Sequence, residues 1–441
     1  MRALIFLLTL MAGAMPSIAS EAVNLQQSVD LALRHAPMLQ AAQAARDAAQ
    51  ESINLGQAQL LPSLSLSASL MRKHQDFNYQ QPAAFLRPAV RNTEKAYGIQ
   101  AYQPLFDLSK WANYQQGELL AENSALQLEA ERQQTILQTA AAWLDQIRAQ
   151  AVLDAATSSE KAMQKLARQA ELSFEIGMAS VNDSFAAQSR HDLSTSARIR
   201  AEQAVWQAKA QLDSLLGRDS SVQTHIQPHT HPLTITPDSL EAWQSIAENH
   251  ALGIQRYEQA VAMADNQHMQ ALGTAMPKVQ LVAGWNQTNS SDGSFGGSTV
   301  KSSIIGVELN APLYAGGALS AKRRQTTQAK VQAEYNVAEA KRTTRLNIQQ
   351  AWLGLQSTAS EMRAMQTALT SAASAQHAAA VGFEVGLRTI TDLMDADERI
   401  ASAKQGYADA WVRHAMAFLQ LYAAAGTLDH KPLQLIDERM R

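Results

Sequence analysis

The sequence predicts a mainly α-helical chain with a β portion, built as a helix-strand-strand-helix-helix unit written twice. Three observations carry this. Residues 108–174 hold no proline and a single glycine, Gly117, within an Ala/Gln/Glu/Leu-rich run of strong helix formers. Four other stretches alternate apolar and polar residues with the two-residue period of strands. The turn sequence Phe383-Glu-Val-Gly-Leu-Arg-Thr-Ile-Thr-Asp-Leu-Met-Asp-Ala396 has a fainter copy, Phe174-Glu-Ile-Gly-Met-Ala-Ser-Val-Asn-Asp183. Their Phe, acidic residue, branched aliphatic, Gly and Asp align at one constant offset, which marks a duplication.

The first residues set the compartment. Arg2, the apolar run Ala3-Leu-Ile-Phe-Leu-Leu-Thr-Leu-Met-Ala12 and the small residues Pro16-Ser-Ile-Ala-Ser20 predict a secretory signal over 1–20. No other stretch approaches the ~20 continuous apolar residues of a spanning helix, so the mature chain enters a membrane only as a barrel. Cysteine is absent, which excludes disulfides, cysteine metal sites and a lipid-anchored cysteine. With a net charge of −3 and 17% charged residues, the chain carries no nucleic-acid footprint.

The first repeat is expected over 21–217. A short amphipathic helix from Asn24 to Arg34 is interrupted at His35-Ala-Pro37, and Pro37 opens a second helix reaching about Leu61, where Pro62 stops it. Leu64, Leu66, Ala68 and Leu70 then alternate with serines at 63, 65, 67 and 69, a strand over about 63–72. Residues 71–94 read as a long polar loop. A second strand over about 96–106 sets Tyr97, Ile99 and Ala101 against Gly98, Gln100 and Tyr102. Long helices occupy about 108–216, turning at Gly177 and stopping at Leu216-Gly217.

A polar, proline-punctuated linker over 218–238 separates this from a second repeat over 239–426. Helix is expected from Ser239 to about Ala275, followed by strands over about 278–288 and 301–313 with a flexible loop at 289–298 between them. Long helices cover about 317–425, turning at Gly386, with a C-terminal tail at 427–441. Trp352-Leu353 answers Trp143-Leu144 at the same spacing to the turn glycine. Each medium helix plus a pre-strand helix totals roughly 75 residues against ~70 in a long helix, so at equal rise two pieces match one. That arithmetic predicts strands at one pole, glycine turns at the other and the linker at mid-height.

Four strands of about ten residues, apolar on one face and polar on the other, suit a membrane barrel but fall short of the roughly eight that the smallest single-chain barrels need. The chain would have to oligomerise, with two copies giving a plugged eight-stranded barrel and three a twelve-stranded one with a lumen. The same alternation also suits a soluble sheet capping a coiled coil.

At this point the motifs carry a resemblance. Leu61-Pro-Ser-Leu-Ser-Leu66, Gln103-Pro-Leu-Phe-Asp-Leu-Ser-Lys-Trp111, Ala311-Pro-Leu-Tyr-Ala-Gly-Gly317 and Val385-Gly-Leu-Arg-Thr-Ile-Thr-Asp-Leu-Met-Asp-Ala396, in this order within a duplicated unit, resemble the TolC family of outer-membrane efflux and secretion channels. The likeness covers essentially the whole mature length and is closer to the TolC branch than to the lipoprotein branch serving multidrug pumps. It implies a trimer in outer-membrane lipid of a Gram-negative bacterium, whose twelve strands form an open barrel continued by a periplasmic helical tunnel. The tip is closed until a periplasmic adaptor (membrane fusion) protein and an inner-membrane transporter dock. No catalysis and no cofactor are expected, and no nucleophile–base pair, phosphate-binding glycine loop or zinc-protease motif appears in the sequence.

In such a trimer, three copies of Asp392 and Asp395 bring six carboxylates to the narrow tip, a ring that repels anions, concentrates cations and accommodates a blocking divalent ion. Acids in a first helical turn also serve as ordinary caps, and both readings hold together. The resemblance further assigns a latch: Arg388 in the second turnaround, with Asn182 and Asp183 in the first as its partners. Phe383 stands where the family has a tyrosine, so that hydroxyl bond is lost, leaving a weaker latch or one using Glu384. Linker residues His225, His229 and His231 have metal-compatible spacing but fit a plain polar loop better. Trp143 and Trp352 are expected to pack helices. Tyr97, Tyr102, Phe106, Trp285 and Tyr314 divide between an interfacial belt and lumen or packing positions. The rival function is a soluble periplasmic coiled-coil adaptor or structural protein of an export complex, which shares the long helices but not the four strands with matched exits.

Overall fold

The computed structural model describes residues 23–76, 78, 80, 89–222, 226–227, 231–293 and 296–440. The expected signal, and His225 and His229 of the linker, lie outside them. The chain divides into two compact units, one of residues 1–39, 132–247 and 347–441 and the other of 40–131 and 248–346. Both contain segments from each sequence repeat. Among the described residues, no helix is long and apolar enough to cross a membrane.

The second unit holds a four-stranded antiparallel sheet in the order β1-β2-β3-β4, with β1 Ser63–Asp76, β2 Ala89–Phe106, β3 Lys278–Ser290 and β4 Ser298–Asn310. Its register decides what alternation in single strands leaves open, because all four apolar sets fall on one face. Leu64 pairs with Ala101, which pairs with Ala283, which pairs with Ile305, and the next row joins Leu66, Ile99, Trp285 and Ser303. Leu64, Leu66, Ile305, Val307 and Leu309 are all strongly exposed within the single chain. The opposite face carries the serine row, whose hydroxyls at 63, 65 and 67 lie 3.4–3.5 Å from carbonyls of β2. Tyr97 and Trp285 share the apolar face, whereas Tyr102 points to the polar one. Tyr314 lies past the end of β4, outside any strand.

Within the expected loop over 71–94, residues 71–76 and 89–94 are strand. The ladder continues to Asp76 paired with Ala89, and Lys73 bonds Glu94 at 2.6 Å on the polar face. These residues are polar because strand pairing needs only backbone groups, and side chains beyond the apolar band have no apolar phase to enter. Likewise β3 and β4 extend to Ser290 and from Ser298, shortening the expected loop to 291–297, and β4 stops at Asn310 rather than 313.

Helices α1 Leu25–His35, α2 Pro37–Ala58, α3 Leu108–Glu175 and α4 Val181–Leu216 belong to the first repeat; α5 Leu240–His250, α6 Leu252–Thr274, α7 Ala318–Glu384 and α8 Ile390–Ala424 to the second. The helix expected over 239–275 is therefore two. Ala251 takes φ −63°, ψ 118°, nearly the values of Ala36 (φ −62°, ψ 115°), so the break at His-Ala-Pro is duplicated without its proline. Gly117, the lone glycine of α3, sits where α2 crosses: a Cβ there would collide with the Ser52 carbonyl.

In the first unit, α1 is capped by Asn24 in a reciprocal box with Gln27, and buries Leu25, Val29 and Ala32 on one stripe. The tail forms a further helix, α9 His430–Met440, whose buried Asp437 accepts from the Leu25 and Gln26 amides at 2.9 and 3.0 Å. A carboxylate on a helix N-terminus satisfies orphan donors and complements the dipole. Trp143 is fully buried and donates its indole N–H to the Val23 carbonyl at 3.3 Å, a packing role as expected. The linker is held at Leu233, whose amide donates to Nε2 of His414 at 2.9 Å. With Nε2 accepting, Nδ1 carries the proton and faces the Thr358 hydroxyl at 3.2 Å. Burial, with Arg363 nearby, pushes the His414 pKa down to about 4.

Candidate functional site

Both helix turnarounds are built by the same backbone device. At the first, Gly177 takes φ +77° and donates to the Phe174 carbonyl, while Met178 and Ala179 donate to Ser173. At the second, Gly386 takes φ +77° and donates to Phe383, while Leu387 and Arg388 donate to Gly382. A left-handed residue just past a helix satisfies its last carbonyls, and only glycine adopts it without cost. The following helices start with reciprocal boxes: Ser180 with Asp183, and Thr389 with Asp392.

Asp392 is thus a cap. Its carboxylate accepts from the Thr389 amide and hydroxyl, both at 2.9 Å. The Thr389 amide, the Thr389 hydroxyl and the nearby Arg388 charge hold its carboxyl below the usual range, so it stays ionised. Asp395, three residues on, turns elsewhere. Its Oδ1 lies 2.5 Å from Nη1 of Arg190 on α4, and Glu398 stands 3.6 Å from the same nitrogen. The two carboxylates expected to act together therefore have different partners in the single chain. Nothing in the spacing of the sequence singles out Arg190, because only packing brings α4 against α8.

Arg388 is exposed and has no hydrogen-bonded or ion-paired side-chain partner among the described residues; Asn182 is exposed and likewise unpartnered, and Asp183 bonds only within its own cap. The expected Arg388 contacts to Asn182 and Asp183 are not made within one chain. The Arg388 stem instead folds over Gly382, where a Cβ would lie 2.7 Å from Arg388 Cγ. Phe383 is half-buried against a cluster of Met163, Leu166, Ala167, Ala170, Ala187, Leu393 and Met394, drawn from α3, α4 and α8. A phenyl ring suits that surface, and Glu384 beside it is exposed.

Among the described residues, no group of three or more His, Cys, Asp or Glu is placed to hold a metal. The sequence profile of the outer membrane efflux protein family matches residues 28–218 and 243–427, both repeats. The chain belongs to that family. It is 27% identical over 431 residues to the outer membrane protein TolC of Vibrio cholerae, covering 96% of this chain and 95% of that protein. It is 24% identical over 426 residues to the alkaline protease secretion protein AprF of Pseudomonas aeruginosa, covering 94% and 87%. In three dimensions it superposes on the Vibrio cholerae outer membrane protein VceC with a TM-score of 0.76 at 18% identity, covering 91% and 96%.

This membership makes the chain an outer-membrane efflux and secretion channel of a Gram-negative bacterium, with a barrel portion and a helical tunnel. The soluble-adaptor alternative and the soluble-sheet reading of the strands give way to it. For this outer membrane efflux protein the sheet is the barrel portion, and the turnarounds are the candidate gate.

Proposed function

We propose that three copies of this chain close a twelve-stranded barrel and that the turnarounds gate its periplasmic end, with a periplasmic adaptor and an inner-membrane transporter supplying cargo and energy. The observation that carries this is the sheet: four strands with one apolar face, and β1 and β4 each left with an unpaired edge. An open edge beside lipid leaves amides and carbonyls unsatisfied, so a barrel must be closed by further copies. Three copies supply enough circumference for a water-filled lumen lined by the polar face. Transport then needs no chemistry from the channel, which acts as a conduit whose opening the adaptor controls.

At the gate, Asp392 supplies the fixed negative charge and Arg190 offsets that of Asp395. Arg388, which forms no side-chain hydrogen bond or ion pair in one chain among the described residues, reaches Asn182 and Asp183 of a neighbouring copy and latches the closed state. Cross-linking of outer-membrane fractions tests the assembly: a detergent-requiring trimer that conducts in planar bilayers supports it, and a freely soluble monomer refutes it. Copurification after cross-linking in cells identifies the adaptor and transporter.

A further inference from the structure

All four strands meet helical segments of the chain at one end, at Ser63, Phe106, Lys278 and Asn310, and at the opposite end β1 leads to β2 and β3 leads to β4. In the barrel reading, on which this inference rests, that opposite end lies outside the cell. Following the apolar face outward, the row Ala68, Tyr97, Gln287 and Lys301 is succeeded by Leu70, Lys95, Asn289 and Thr299. Beyond these, β1 and β2 place Arg72 opposite Thr93 and His74 opposite Arg91.

Four cations, Lys301, Lys95, Arg72 and Arg91, thus share the lipid-facing side at and just above the upper margin of the apolar band. All four are exposed. The only carboxylate on this face in that region, among the described residues, is Asp76 at the far tip, 3.5 Å from His74. The acid that the sequence places nearby, Glu94, is on the opposite face and is taken by Lys73. None of the four cations forms an ion pair among the described residues, although Arg91 donates to Nδ1 of His74 at 3.4 Å.

We propose that this cluster is a binding surface for the anionic phosphates of outer-leaflet lipid headgroups. Cations at headgroup depth on a membrane-facing surface attract the anionic phosphates beside them, and each basic residue near an anionic surface adds to that attraction. Lys301 lies in the same row as Tyr97, with Gln287 between them, one row inside the band's margin, and its flexible stem can carry the ammonium up to the headgroup level while the methylenes stay in lipid. The guanidinium groups of Arg72 and Arg91 match phosphate geometry with paired donors. The site is separate from the gate and uses none of its residues.

The test uses full-length protein in neutral detergent, titrated with fluorescent diphosphoryl lipid A and with its dephosphorylated form. Wild type is expected to bind the phosphorylated lipid about tenfold more tightly or better, and the combined variant Arg72→Gln, Arg91→Gln, Lys95→Gln, Lys301→Gln to lose that preference. Equal binding of the two lipids by wild type, or a preference that survives in the variant, overturns the proposal. Should the combined variant not fold, Lys95→Gln and Lys301→Gln singly are expected to reduce the preference two- to threefold or about that, while Lys73→Gln on the other face leaves it unchanged; the reverse pattern also overturns it. Conductance in neutral phosphatidylcholine bilayers separates the two readings, since the channel is expected to conduct there whether or not the lipid preference exists.

Discussion

Arg190 on α4 and Asp395 on α8 form an ion pair with a 2.5 Å contact, so one of the two acids that follow the second turnaround is neutralised within its own chain. Both side chains are partly exposed, at 26% and 42%. The pair therefore contributes little to stability, and in the proposed gate it lowers the net negative charge beside Asp392.

Arg190→Gln is expected to release Asp395 and increase the negative charge at the tip. In planar bilayers the cation-to-anion permeability ratio should rise and a divalent cation should block at lower concentration than in wild type. Unchanged selectivity and block would remove Arg190 from the gate.

Neutralising the acids should do the opposite. Asp392→Asn with Asp395→Asn is expected to abolish divalent block and lower cation preference. Asparagine is chosen because it keeps an acceptor for the Thr389 amide, whereas Asp392→Ala also deletes its half of the capping box. Persistent block in the asparagine variant, measured by conductance, would show that the ring does not bind the ion.

The pH dependence of block follows from the Asp392 cap. Its carboxyl is held down by the Thr389 amide and hydroxyl and by Arg388, so its charge outlasts that of an ordinary carboxylate as pH falls. Divalent block is expected to persist at pH values where a free aspartate, with a pKa of about 3.9, is already half protonated. Thr389→Val removes the hydroxyl bond and should move the loss of block to higher pH, readable in the same conductance titration.

Gly382→Ala places a methyl group where the Arg388 stem lies, 2.7 Å from its Cγ. The stem must move, so the variant is expected to raise resting conductance in the same direction as Arg388→Ser. If both variants stay as closed as wild type, Arg388 is not a latch.

His414 makes a separate prediction about stability. Its native pKa of about 4 lies below the unfolded value of about 6.5, so the unfolded chain binds more protons between them. The stability it contributes is full above that upper value and is lost as pH falls through the window toward 4. Thermal unfolding in detergent should show Tm falling across this range in wild type and a flatter dependence in His414→Gln. Equal slopes would place the sensitivity elsewhere.

Much of this protein is legible locally. The proline-free run that becomes α3, the Gly177 and Gly386 turns and the Ser180 and Thr389 boxes are written in short stretches, because helix propensity, glycine stops and capping act within a few residues. The strands are legible where apolar residues alternate and not at residues 73–76 and 89–95, where backbone pairing continues without an apolar signal. The break at Ala251 was hidden for the same reason, since its copy at Ala36 is announced by Pro37 and it is not.

Contacts between segments far apart in sequence were decided only by tertiary structure. Alternation determined that each strand has two faces, but the register alone put the four apolar sets together and left Lys301, Lys95, Arg72 and Arg91 beside them. Spacing determined that Asp392 and Asp395 lie on one helical face, but the packing of α4 against α8 gave Asp395 to Arg190 and left Asp392 to its cap. The physical reason is the range of the forces involved. Propensity and capping depend on neighbours in the chain, whereas charge pairing depends on which helices the packed side chains, buried Met394 and half-buried Phe383 among them, draw into contact.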